Sequence, residues 1–341
     1  MKSIAFYNHK GGVGKTTLLY NLGLALCRQG KKILFVDGDA QANLTSISLA
    51  DELIEKAYDE KQTIYHGLSP LVEGSGDIQI VEPVKIRDNA WVLPGHINLS
   101  VFEEIAPEGW TSALAGNPRG FRVSTAVQRL MSEVGQRVGA DYIFLDLGPN
   151  VGAFNRAALL GADGFVIPMA PDLFSLTALP SVGDSVSRWV EEWEIARSSA
   201  DRRHLSLGFD LPPGKPAPLG YISQQFAVYR EQPAEAYQRW ISQIPRQYES
   251  GVVDALAKSN VRTPRRVGKI GEVRNLSSLI PMAQRNRSAV FELTGSEARG
   301  AQFTRAKDTY SLFAELVAEV VARLDEVLTP EAAADDDPDN S

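Results

Sequence analysis

Three groups of residues in this 341-residue chain have the types and spacing for phosphate chemistry. The first is Gly11-Gly12-Val13-Gly14-Lys15-Thr16-Thr17, with Lys10 just ahead of it. Glycines let backbone N–H groups turn inward with no Cβ in the way, and such a nest binds anions. Lys15 is placed to reach the β- and γ-phosphates of a nucleotide such as ATP, and the Thr16 hydroxyl to ligate Mg²⁺. The second group is Asp37-Gly38-Asp39, two acids that read either as catalytic carboxylates or as an N-cap pair for a following helix. The third is Asp146, at the end of the apolar run Tyr142-Ile143-Phe144-Leu145, where an acid can hold Mg²⁺ through a water.

Each group needs an element to aim it. Ile4-Ala5-Phe6-Tyr7 reads as a short buried strand ahead of the glycines. Leu18, Leu22, Ala25 and Leu26 fall at helical spacing after them, and Gly30 supplies the stop. A helix N-terminus adds a partial positive charge at the loop. That context disfavours the bland alternative, a glycine turn with two solvated lysines. Ile33-Leu34-Phe35-Val36 reads as a fully buried parallel strand with Asp37 at its C-terminal end. Ligands of open α/β sheets sit beyond such ends. The fold expected is α/β, a doubly wound, mostly parallel sheet flanked by helices.

The loop departs from G-x-x-x-x-G-K-[ST], because His9 stands where the first glycine belongs and Lys10 precedes the glycine pair. K-G-G-x-G-K-T is similar to the deviant phosphate loop of the ParA/MinD family of nucleotide-dependent dimerising ATPases. Asp37 to Thr45 resembles that family's D-x-D-x-Q-x-N segment, and Asp146-Leu147-Gly148-Pro149 its second acidic strand end, with Gly148 in place of the first of two prolines. The resemblance implies ATP and Mg²⁺ as ligands, with Lys10 to Thr17 around the nucleotide. It implies that Thr16, Asp37, Asp39 and Asp146 surround the metal, and that Asp39 positions or deprotonates the attacking water. Catalysis would rest on Lys10, Lys15 and Asp39. Lys10 would touch the nucleotide of another subunit in an ATP-bound homodimer. Such a dimer holds nonspecific DNA and lets go on hydrolysis, which is slow and stimulated by a ParB-like partner.

The remaining chain supports a coarser reading. Residues 1–330 are expected to form one ATPase domain with an insertion at 195–260, and 331–341 an acidic disordered tail. Trp110 to Arg122, with its Gly and Pro residues, reads as a surface loop. Val123 to Val138 and Thr177 to Trp193 read as helices, and Leu219 to Ser223 as a late strand. Residues 230–258 are mostly helical in pattern, with Trp240 and Tyr237 expected as packing anchors. Arg262, Arg265, Arg266, Lys269 and Arg274 form a basic segment that is either a solvated face or a DNA contact. Ile270-Gly271-Glu272 is placed where the family has a loop beside the adenine. A closing helix carries Tyr310, Phe313, Leu316, Val317, Val320, Val321, Leu324 and Leu328 on one stripe.

Composition narrows the class. The net charge of −7 excludes a globally basic nucleic-acid binder but permits a local patch. The single Cys27 makes no internal disulfide and cannot supply the paired thiols of a metal-cluster carrier on the same loop. No apolar run reaches the roughly 18 residues of a membrane span, and no signal-peptide pattern is read, so a cytoplasmic (nucleoid-associated) protein with no membrane partner is expected. Two alternatives stay open: a partner-regulating ATPase module without DNA binding, and a MinD-like membrane-surface ATPase. The second needs a basic amphipathic terminus, whereas the closing helix is flanked by acids.

Overall fold

The computed structural model describes residues 1–225, 234–274, 276 and 278–329. In chain order the elements are β1 (Lys2–Phe6), α1 (Lys15–Arg28), β2 (Ile33–Gly38), α2 (Asn43–Ser48), α3 (Asp51–Asp59), α4 (Ile64–Val72), β3 (Val84–Arg87), β4 (Ala90–Leu93), α5 (Leu99–Leu114), α6 (Pro118–Ser124), α7 (Ala126–Val138), β5 (Tyr142–Leu147) and α8 (Ala153–Leu160). There follow β6 (Gly164–Met169), α9 (Leu173–Arg202), β7 (Ala217–Gln225), α10 (Ala234–Tyr248), a π turn at Glu249–Val253, α11 (Asp254–Lys258), β8 (Lys269–Arg274), α12 (Leu279–Arg285), a 3₁₀ turn at Val290–Glu292, and α13 (Ala301–Leu328).

The strands form one eight-stranded sheet in the order β3-β4-β2-β5-β1-β6-β7-β8. It is parallel except for β3, which runs antiparallel to β4 at one edge. The sheet is therefore the doubly wound, mostly parallel one the strand patterns imply. Burial on both faces explains why β1, β2, β5 and β6 are near-continuous apolar runs with no alternation. One face is covered by α1 and α13, and Phe313, Leu316, Val317, Val320 and Leu324 of α13 are buried there. Each such side chain contributes about 1.5–3 kcal/mol on leaving water, which holds the closing helix on the sheet. The other face packs α4 to α9, with Trp110, Phe121 and Trp193 at its centre.

The chain winds to one side of β1 through β2 and crosses to the other side between β5 and β6. The order reverses at β1, which is where a doubly wound sheet opens a crevice for ligands. Register then fixes the acids. Asp37 of β2 lies directly beside Asp146 of β5, and Phe6, the last residue of β1, lies on Asp146's other side.

Several expectations need correction. Trp110 to Arg122 is not a surface loop: α5 runs through Pro107 to Leu114, α6 starts at Pro118, and Trp110 is buried. The glycines there serve close helix contact. A Cβ on Gly120 would come within 2.2 Å of the Ala113 nitrogen, and one on Gly109 within 2.5 Å of Val123. Residues 195–260, expected as an insertion, contribute both to the helical layer and to the sheet. Helix α9 continues to Arg202 with Ser199 and Ala200 buried, and β7 is paired on both sides, to β6 and β8. Ile270-Gly271-Glu272 is no loop but part of β8, where Gly271 lets the strand approach Leu316. Trp240 is half-buried, while the Tyr237 side chain and the 331–341 tail lie outside the described residues.

Candidate functional site

The phosphate-loop residues sit between the end of β1 and the start of α1, at the crevice. Asn8 is buried and anchors the start of the loop to β6: its amide donates to the Pro168 carbonyl (2.8 Å), and its side-chain oxygen accepts from the Lys10 N–H (3.0 Å). His9, in place of a glycine, reaches out to Ser181 of α9 (3.1 Å). Gly12 and Gly14 have φ of +71° and +79°, the left-handed region that disfavours side chains. Gly12 is exposed, and a Cβ on it would meet nothing within 4 Å. Gly11 lies against Pro149, and Val13 is buried.

Lys15 is 7% exposed, with its ammonium 3.5 Å from the Lys10 carbonyl. Burial holds its pKa below the ordinary lysine value, while Asp146 and Asp39 pull it back up. The Thr16 hydroxyl donates to Asp146 Oδ2 at 2.6 Å. Asp146 Oδ1 is buried and has no hydrogen-bond partner. Burial pushes Asp146 up to about 7, with Asp37 beside it adding to the rise and the Thr16 bond and Lys15 opposing it. An orphaned, half-neutralised carboxylate next to a hydroxyl fits a Mg²⁺ ion, which would supply the missing charge. Among the described residues no three His, Cys, Asp or Glu side chains form a self-sufficient metal cage. Mg²⁺ commonly takes few protein ligands and completes its shell with phosphate oxygens and water.

The structure does not bring all four expected metal residues to one point. Asp37 is fully buried, and its Oδ2 accepts from both the Thr45 N–H (2.8 Å) and the Thr45 hydroxyl (2.6 Å). Its Oδ1 accepts from the Asp39 N–H (3.3 Å). Burial raises its pKa to about 6, against these hydrogen bonds. Asp37 is thereby spent on holding the turn that carries Asp39. Asp39 is half-exposed, accepts from the Gln41 N–H (3.0 Å), and faces Gly148, where a Cβ would lie 3.6 Å from its carboxylate. Thr17 accepts a long hydrogen bond from Gln284 of α12 (3.5 Å).

Lys10 is held within its own chain. Its ammonium pairs with Asp172 and stands 5.8 Å from the centre of the exposed Phe174 ring. Asp172 also caps α9 by accepting from the Ser175 N–H (2.8 Å). Sequence reasoning missed Asp172, Thr45, Asn8 and Gln224. Asp172 precedes a helix as N-caps do, the one signal that could have found it. Gln224 is 2% exposed near the C-terminal end of β7, and both its amide atoms are buried without a partner.

The basic segment does not gather into one open strip. Arg262 donates to the Val327 and Thr329 carbonyls (3.3 Å each) at the end of α13. Arg265 lies 3.7 Å from Glu326, and Lys269 3.0 Å from Glu272. Arg266 is exposed, and the Arg274 side chain lies outside the described residues. Lys2, at the start of β1, pairs with Asp325, so the Arg262–Arg265 stretch lies at the sheet edge opposite the phosphate loop.

A family model described as an AAA domain (AAA_31) matches residues 1–195, more than half of the chain. The chain belongs to this family, the ParA/MinD-like P-loop ATPases. Among curated members it is 34% identical over 186 residues to the sporulation initiation inhibitor protein Soj of Bacillus subtilis, covering 54% of this chain and 64% of Soj. It is 33% identical over 177 residues to the chromosome-partitioning ATPase Soj of Thermus thermophilus, covering 52% of this chain and 57% of that one. The chain thus spans about six tenths of the length of these two relatives. A crystal structure of protein DIP2308 from Corynebacterium diphtheriae superposes with a TM-score of 0.69 at 28% identity, over 84% of this chain and 97% of that one. ParA/MinD-like ATPases hydrolyse nucleotide at a P-loop, and the strand–loop–helix built here from Asn8 to Thr17 is of that kind.

Proposed function

We propose that this chain is an ATP-dependent dimerising switch of the partition and positioning kind. The observation that carries the reading is the meeting, at one sheet edge, of the open glycine loop, the Thr16–Asp146 pair with its orphaned oxygen, and Asp39 on the Asp37 turn. Backbone N–H groups of Gly11 to Thr17 bind the phosphates, and Lys15 neutralises the β- and γ-phosphate charge. Thr16 and Asp146 hold Mg²⁺, which when bound offsets charge on the transferred phosphoryl group. Asp39 orients the attacking water or takes its proton. Asp37 acts through Asp39, as the anchor of its turn. Lys10 leaves Asp172 and binds the nucleotide of a second copy.

Gln224 supplies a base contact. Its amide offers one donor and one acceptor, the pairing an adenine edge requires, two strands from β1 and on the same edge of the sheet. Residues 1–330 act as one ATPase domain with an insertion at 195–260. The ATP-bound dimer holds DNA phosphates through the exposed Arg265 and Arg266, with Arg262 and Lys269 near them and Arg274 as a separate contact at the far end of β8, and a ParB-like protein accelerates an otherwise slow hydrolysis. The protein acts in the cytoplasm, on the nucleoid. Among the described residues no helix is long and apolar enough to cross a membrane.

Lys10→Ala tests the reading. It should abolish ATP-dependent dimerisation and turnover while nucleotide binding persists. Normal dimerisation and turnover in that variant would overturn it.

A further inference from the structure

One half-buried cluster near the site has no role in the scheme above. After β4, the chain turns a corner at Pro94-Gly95-His96. Gly95 touches the Asp37 carboxylate, since a Cβ there would lie 2.9 Å from its carbon. The Gly95 N–H donates to the Thr45 hydroxyl (2.8 Å), and that hydroxyl donates to Asp37. The Gly95 carbonyl accepts from the Tyr58 hydroxyl of α3 (3.2 Å), and the Pro94 carbonyl from the Ile64 N–H of α4 (2.9 Å). The corner is therefore tied to Asp37 on one side and to two helices on the other.

His96 clamps it. Its ring stacks on Tyr65 (5.2 Å between centres, 21°), leans on Tyr58 (4.7 Å) and meets His66 edge-on (5.2 Å). Its Nδ1 accepts from the Asn98 N–H (3.0 Å), which requires the neutral tautomer protonated on Nε2. A proton on Nδ1 would set two N–H groups against each other and break that bond. His66 engages Thr63 through its own Nδ1 (2.8 Å). The groups facing the pair are Tyr58 of α3, Tyr65 of α4 and Lys61 of the turn between them, with Asp37 beyond Tyr58. None of the nearer groups is an acid that would welcome a cation.

We propose that Tyr58 and His96 are positioning residues for the Asp37–Asp39 turn, and that the corner holds only while His96 is neutral. The proposal rests on the ATPase reading for its effect on rate, but the clamp itself can be measured without turnover. Burial holds both histidines below their ordinary value of 6.5, and for His66 the neighbouring His96 and Lys61 add to it. A depressed histidine favours the neutral folded form, so the clamp is complete above pH 6.5 and is lost as pH falls through the lowered folded values.

The experiment has two arms on wild type, His96→Phe and Tyr58→Phe. In the first, ATP turnover is measured from pH 8 to 5.5 with nucleotide affinity in parallel. Wild type should lose kcat on the acid side with affinity nearly constant. His96→Phe keeps the stack but takes no proton, so its acid limb should be shallower than that of wild type, with Asp146 and Asp37 still titrating. Tyr58→Phe should lower kcat by on the order of tenfold, less than the roughly hundredfold a 1 Å misplacement can cost. In the second arm, amide hydrogen exchange at Thr45 and Gly95 is followed over the same range and corrected for intrinsic rate. Protection should fall with pH more steeply in wild type than in His96→Phe, where Asp37, the acceptor of the Thr45 N–H, still titrates. Exchange with the same pH dependence in both proteins overturns the proposal whatever the turnover shows. A wild type that never hydrolyses ATP yet shows the pH-dependent exchange instead defeats the ATPase reading and leaves the clamp standing.

Discussion

Asp172→Asn isolates the resting position of Lys10. In the single chain the ammonium is already paired, with 24% of the lysine and 10% of the aspartate side chain exposed. Before Lys10 can serve a second subunit, that pair must open. A hydrogen bond to a charged group is worth about 1.5–3 kcal/mol, and desolvation of a half-buried pair offsets part of it. A net of about 1–2 kcal/mol shifts the bound-to-free ratio of Lys10 by about 5–30-fold. Two lysines must be released per dimer, so the dimer dissociation constant should fall by the square of that factor, about 25-fold at the low end. Asparagine keeps an acceptor for the Ser175 N–H, so the α9 cap survives. The assay is sedimentation with saturating ATP in an Asp39→Ala background, which slows loss of the nucleotide. A dissociation constant unchanged by Asp172→Asn would refute the reasoning, because either the pair would not restrain Lys10 or Lys10 would not cross.

Further outcomes follow from the buried groups. Asp146 and Asp37 are raised to about 7 and 6, so in metal-free protein the stability present below pH 4 is lost as pH rises through those values; Asp146→Asn should raise Tm at pH 8 in EDTA while abolishing Mg²⁺-dependent turnover. An unchanged Tm in that variant would mean the carboxylate is not strained by burial. Gln224→Ala should weaken ATP binding and narrow the preference for ATP over GTP, read by competition calorimetry; an intact preference removes Gln224 from the base site. Arg265→Ala with Arg266→Ala should weaken plain duplex binding by ATP-loaded protein equally across sequences. It should also reduce the slope of log K against log salt by about 2. A mobility-shift salt titration with an unaltered slope places the DNA contact elsewhere.

The glycine loop and the acids were legible because each is local. Gly14-Lys15-Thr16 lies within a few residues of both its strand and its helix, and Asp37 and Asp146 end apolar runs that only buried strands present. What the sequence concealed is carried by distant partners. Asp172 meets Lys10 across 162 residues, and Gly95 meets Thr45 across 50, so no window of sequence contains either pair. The family resemblance of the segment Asp37 to Thr45 places Asp37 near the metal; only the fold shows its carboxylate accepting from the Thr45 N–H and hydroxyl. Gly116, Pro118 and Gly120 read as loop punctuation, whereas Gly120, with Gly109 just before the stretch, permits α5 and α6 to touch. Strand β8 was hidden by charge: Lys269, Glu272 and Arg274 on an edge strand look like a solvated basic run.

The trans action of Lys10 is tested most directly by mixing two inactive proteins, Lys10→Ala and Asp39→Ala, in equal amounts with ATP. In a mixed dimer, the Lys10→Ala subunit keeps its own Asp39 and receives Lys10 from its partner, which completes one of two sites. Random pairing would make half the dimers mixed and return about a quarter of wild-type turnover; a mixed dimer has one crossing Lys10 instead of two, so turnover should rise clearly above that of either protein alone and stay below about that quarter. A mixture as silent as its components would show that Lys10 serves only its own chain, and the account would fail at its centre.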